Sequence, residues 1–196
     1  MDLVFVVDRG VSSTNWNTMI SFIISILNQF EIGDSAARIG FITFANSAQS
    51  EFFLNTYNNR EDVIAKIQSI SSSSEAETNT QAAVSLARTS QFTSANGDRS
   101  SAKNILVYVT DSASTTESSS TLSEASSLKT NGVTILSIGV GESSTLITEI
   151  GGIASQPQTE DAFYWVENTF SALAGITNGV AAQISSVANS RYFCTF

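Results

Sequence analysis

Four segments of this chain are apolar with almost no alternation and rich in branched side chains: Leu3–Val7, Ile39–Phe44, Ile105–Val109 and Val133–Ile138. A strand with one wet face alternates apolar and polar residues. Unbroken runs therefore mark strands covered on both faces, and such strands belong to parallel sheets. Glu51–Leu54 reads as a weaker strand at a sheet edge, and Ala162–Val166 as the last strand.

Helical periods separate these runs. Trp16, Met19, Ile20, Ile23, Leu27 and Phe30 recur at i, i+3, i+4 spacing behind a cap at Ser13, Thr14 or Asn15. Val63, Ile67 and Ile70 mark a second helix. Ala82, Ala83, Leu86 and Ala87 mark a third, whose small residues let it lie close to the sheet. Leu122, Ala125 and Leu128 mark a fourth, with Lys129 and Gly132 as its stop. Leu146, Ile147 and Ile150 form a short fifth, expected to end at Gly151-Gly152, and Phe170 to Val187 a long C-terminal one. Strands alternating with helices over 196 residues, with no internal repeat or linker, predict one α/β domain over residues 1–190. Its sheet is open and doubly wound, with helices on both faces. Residues 191–196 form a tail that holds Cys194.

Composition removes several functions. There is no His, which excludes Ser-His-Asp and Cys-His catalysis. One Cys cannot build a zinc cluster. Nine basic against 18 acidic residues leave a formal charge of −9, the wrong sign for nucleic acid. No stretch is long and apolar enough to span a membrane, and the start, with Asp2 after Met1, does not read as a signal peptide. Gly139-Val140-Gly141 lacks the third glycine of a dinucleotide loop. What remains is oxygen chemistry. The chain carries 33 Ser and 20 Thr, and its hydroxyls and carboxylates suit a hard cation.

In a doubly wound sheet the ligand crevice lies beyond the carboxyl ends of the strands, where strand order reverses. Asp8 follows the first run and Asp111 follows Ile105–Thr110, so adjacent strands would bring their carboxylates together. Hydroxyls accompany them: Ser12 and Ser13, Thr78 and Thr80, and Ser112. Such a set makes a site for Mg2+ or Mn2+. Each residue taken singly also reads as a helix cap or turn residue. Glu75 and Glu77 read as solvated loop acids, and Trp16 and Trp165 as core.

Three motifs, Asp-Leu-Val-Phe-Val-Val-Asp at 2–8, Thr-Asn-Thr-Gln-Ala-Ala at 78–83 and Ile-Leu-Val-Tyr-Val-Thr-Asp at 105–111, together resemble the von Willebrand factor type A domain family. Gly132–Gly141 and the Phe170–Leu173 pattern extend the resemblance across nearly the whole chain. It implies a mostly parallel sheet with one short antiparallel edge strand. It also implies a metal-ion-dependent adhesion site that accepts a partner carboxylate, with Asp8 and Ser12 in the first loop, Thr78 the threonine and Asp111 the second acid. Gly10 stands where that loop's first serine belongs, a position a water would fill, and Arg9 beside it points to solvent or pairs with an acid. The implied function is a non-enzymatic protein-binding or adhesion module of a secreted, extracellular matrix protein. The alternative is a structural assembly subunit that self-associates, its metal site decayed. In the family, cysteines often join the two ends of the domain; here Cys194 pairs outside this chain, pairs between chains, or stays free.

Overall fold

The computed structural model describes residues 1–157 and 160–190. Six strands form one sheet in the order β3-β2-β1-β4-β5-β6. They are β1 (Asp2–Asp8), β2 (Arg38–Phe44), β3 (Ala48–Phe52), β4 (Asn104–Thr110), β5 (Val133–Val140) and β6 (Tyr164–Glu167). All pair in parallel except β3, which runs antiparallel to β2. Six helices wrap the sheet: α1 (Ser13–Leu27), α2 (Arg60–Gln68), α3 (Thr80–Leu86), α4 (Ser118–Thr130), α5 (Ser144–Ile153) and α6 (Leu173–Asn189).

The unbroken apolar runs have the cause expected of them. All seven residues of β1 are buried. Leu3, Phe5 and Val7 join a core with α1, α2 and α6, while Val4 and Val6 join a second core with α3, α4 and α5. The apolar side chains of β1 thus meet helix on both faces of the sheet. Trp16 and Trp165 are core residues, and the Trp16 indole N–H donates to the Ile70 carbonyl at 2.8 Å.

Several boundaries differ from expectation. The edge strand is Ala48–Phe52, not Glu51–Leu54, because Ala48 pairs with Phe44 directly after a tight turn. α1 and α2 end at Leu27 and Gln68, short of Phe30 and Ile70. Helix α5 runs through Gly151-Gly152 to Ile153. The glycine there is a contact and not a stop, since a Cβ on Gly152 would stand 2.8 Å from a methyl of Leu122. The carbonyls of Gly152, Ile153 and Ala154 accept from the Lys129 ammonium at 3.1–3.2 Å. The C-terminal helix begins with a tighter 3-10 turn at Phe170–Ala172.

At the sheet's lower end Asp2 is fully buried and held by Arg99. The guanidinium donates to Asp2 Oδ1 at 2.6 and 2.9 Å and to the carbonyls of Met1, Asp34 and Ala36.

Candidate functional site

β1 and β4 are neighbours, with Val7 opposite Val109, so their carboxyl ends rise together at the point where strand order reverses. Asp8 is the last residue of β1 and does not follow it, and only 1% of its surface is exposed. Its Oδ1 accepts from the Gly10 N–H at 2.9 Å and its Oδ2 from the Thr110 hydroxyl at 2.7 Å. Burial pushes the Asp8 carboxyl up to about 6. The two hydrogen bonds oppose that shift and the nearby charge of Asp111 adds to it. Asp111 is half-buried, and burial raises it too, against a hydrogen bond donated by Ser112 Oγ at 3.2 Å.

Ser12, not a later residue, caps α1: its Oγ accepts from the Asn15 N–H at 3.2 Å. Thr78 is buried. Its N–H donates to Thr115 Oγ1 at 2.8 Å and its carbonyl accepts from the Thr115 N–H at 2.9 Å, while no hydrogen bond of its hydroxyl is recorded among the described residues. The loop carrying Thr78 is held by Asn46, whose Oδ1 accepts from the Glu77 N–H at 3.0 Å.

Other sequence candidates fall elsewhere. Thr80 turns inward and shares a hydrogen bond of 2.8 Å with the fully buried Tyr108 hydroxyl. Ser13 is the exposed first residue of α1. Arg9 forms no ion pair with Asp8 or Asp111 among the described residues. Cys194 lies outside the described residues.

Gly10 shows what replaced the expected serine. A Cβ there would stand 3.0 Å from the Glu75 carbonyl oxygen and 3.2 Å from Asp8 Oδ1. The serine-rich loop after α2 occupies that space, anchored by the Ser73 N–H on the Arg9 carbonyl at 2.7 Å. A cavity of about 680 Å3 opens beside it, lined by Gly10, Ser12, Ser73 and Glu75 among others.

Three residues to which the sequence assigned no role in the site organise it. Thr110 fixes Asp8. Glu77 is no free loop acid: its Oε2 accepts from the hydroxyls of Thr115 at 2.6 Å and Thr116 at 3.2 Å. Glu149, on α5, accepts from the Ser114 N–H at 3.0 Å and the Ser114 hydroxyl at 2.9 Å. The segment from Asp111 to Thr116 is thereby tied to the Thr78 loop on one side and to α5 on the other. Thr110 was readable only as a strand end. Glu149 had no signal, being 38 residues from Asp111 along the chain.

Every candidate donor at this end of the sheet is oxygen, a set that suits hard cations over soft ones. No group of three or more His, Cys, Asp or Glu that could hold a metal occurs among the described residues, so hydroxyls and water would have to complete any coordination shell.

A doubly wound sheet with paired acids and hydroxyls at its switch point defines an α/β module whose ligand end is built from loops. Residues 2–179 match the model of the von Willebrand factor type A domain, and the chain belongs to that family. It is 29% identical over 191 residues to integrin alpha-1 of Gallus gallus, covering 94% of this chain and 66% of that protein. With matrilin-1 of Homo sapiens it shares 28% over 165 residues, 83% of this chain and 32% of that one. The chain therefore spans less than two thirds of either relative. Among solved structures, proximal thread matrix protein 1 from the mussel byssus superposes with a TM-score of 0.81 at 26% identity, over 92% of this chain and 44% of that one. Another structure of that mussel protein has a zinc-occupied MIDAS motif; at 23% identity and a TM-score of 0.82, its likeness concerns the fold. No helix among the described residues is long and apolar enough to cross a membrane.

Proposed function

We propose that the chain is a non-enzymatic adhesion module that binds a protein partner through the loops at the carboxyl end of its sheet. Asp8, Ser12, Thr78 and Asp111 would hold one Mg2+ or Mn2+, and the cation would take a carboxylate from the partner. The observation that carries this reading is the coupling of Asp8 to the Asp111 loop through Thr110 at the switch point, with the buried Thr78 hydroxyl making no hydrogen bond among the described residues. These residues fit a hard cation that keeps water where Gly10 supplies no side-chain oxygen. The cation supplies positive charge that a surface of net charge −9 needs to accept an acid. Asp8 would orient the site from its fixed place on Gly10 and Thr110, and Asp111 would sit on the half-exposed side. Likeness to integrin, matrilin and byssal matrix proteins supports an extracellular, matrix-associated setting.

Gly10 and the Glu75 carbonyl that crowds it favour a second reading, a structural subunit that self-associates without a cation. Calorimetric titration with Mg2+ and Mn2+ separates the two. Heat in the wild type, lost in Asp111→Ala, supports the cation site. No heat, or equal heat in the variant, leaves self-association, to be measured by sedimentation in chelator.

A further inference from the structure

A cavity of about 480 Å3 opens between α4 and α5, lined by Ser114, Ser118, Leu122, Ser144, Thr145, Thr148 and Glu149. Glu149 is the only charged side chain in it. The four ion pairs among the described residues do not include Glu149, so this half-buried carboxylate has no ion-pair partner among them. Burial raises it, and only Ser114 donates to it. An uncompensated acid in a partly dry groove is costly unless a cation arrives from outside.

The groove has one apolar wall, Leu122, which is 46% exposed and one of the two exposed large apolar side chains among the described residues. Apart from Leu122 and Glu149 its lining residues all carry hydroxyls, with lone pairs to offer. Thr148 spends its hydrogen on the Ser144 carbonyl at 2.8 Å, which leaves its oxygen as an acceptor.

We propose that this groove is a docking subsite for an arginine of a protein partner. A guanidinium brings five N–H donors in a planar fork, enough to meet the Glu149 carboxylate and the surrounding hydroxyls together, and its methylene stem can lie on Leu122. An ammonium offers three donors from one point and matches the spread of acceptors less well. The net charge of −9 complements a basic partner surface. Glu149 grips Ser114, three residues beyond Asp111, so the subsite adjoins the cation-binding loops and lies on the same approach. The proposal rests on the reading of the chain as a partner-binding module, but no cation takes part in it.

Amide NMR of the 15N-labelled protein in chelator tests it, with N-acetyl-arginine methylamide and its neutral isostere N-acetyl-citrulline methylamide as probes. The arginine probe is expected to shift Ser114, Thr148 and Glu149 saturably, with the citrulline probe about tenfold weaker. Glu149→Gln should bring arginine binding down to the citrulline level. Thr148→Arg, on the exposed side of α5, should fill the groove from within and abolish the shifts without touching the Ser114 contact. Equal shifts with both probes, unchanged binding in either variant, or no shift up to the solubility of the arginine probe overturns the proposal. Because the experiment excludes divalent cations, a calorimetric null with Mg2+ would not decide it, nor would its failure decide the cation site.

Discussion

Thr110 donates its hydroxyl hydrogen to Oδ2 of Asp8 across 2.7 Å, joining the last residues of two adjacent parallel strands. The same Thr110 oxygen lies 3.2 Å from the Ser112 N–H, which donates to it. One hydroxyl therefore sets both the direction of the buried acid and the turn that carries Asp111. Four consequences follow from this end of the sheet and from its opposite end.

The Asp8 carboxyl sits near 6 in the folded chain against an ordinary 3.8. Between those values the native state holds a proton that the unfolded chain has released. Stability without cation therefore falls as pH rises through that window, and the full cost, on the order of 3 kcal/mol, is present above it. Asp111 and Glu149, also raised by burial, act in the same direction. Urea unfolding in chelator at low and neutral pH should show this loss in the wild type and much less of it in Asp8→Asn. Parallel pH profiles would remove the assignment.

Gly10→Ser restores the residue type that the family pattern has at this position, yet it should not improve the site. The new Cβ would meet the Glu75 carbonyl at 3.0 Å, and that oxygen belongs to a backbone anchored on Arg9. Overpacking of this kind costs about 1–3 kcal/mol. The expected result is lower unfolding stability with no gain in Mg2+ heat. A tighter titration at unchanged stability would show that the serine-rich loop yields freely.

Glu149→Ala removes three hydrogen bonds to Ser114 and frees one side of the Asp111–Thr116 segment. Hydrogen exchange should accelerate at Ser112 to Thr116, with global stability reduced by about 1–3 kcal/mol. Exchange confined to α5 would mean that Glu77 and Thr78 hold the segment unaided.

At the other end, Arg99→Ala leaves Asp2 fully buried with its ion-pair partner gone. Removing one member of such a pair costs about 3–5 kcal/mol, so this substitution should destabilise the chain more than any of the others. Thermal unfolding measures it directly. Asp2→Asn combined with Arg99→Ala should recover part of the loss, since the stranded charge is then absent.

Much of this architecture was legible along the chain. Strands buried on both faces leave a local signature, an apolar run with no alternation, and β1, β2, β4 and β5 carried it. The pair Asp8 and Asp111 was legible because strand ends mark the crevice of any doubly wound sheet. Boundaries were less so. Gly151-Gly152 looked like a stop because the intrinsic cost of glycine in a helix is local, whereas the Leu122 side chain that occupies the space above Gly152 comes from α4. For the same reason Thr80 looked like a ligand until the packing turned it to Tyr108.

The sequence alone thus determined the class of fold, the absence of imidazole and of a zinc-binding thiolate cluster, and the oxygen-only character of the candidate site. The tertiary structure alone decided that the Glu75 carbonyl crowds the place of the missing serine, that Thr110 fixes Asp8, and that Glu149 is an acid with no ion pair among the described residues. Periodicity and composition are properties of neighbours along the chain. Contacts between residues 35 or 102 positions apart exist only once the sheet has brought its strand ends and helices together.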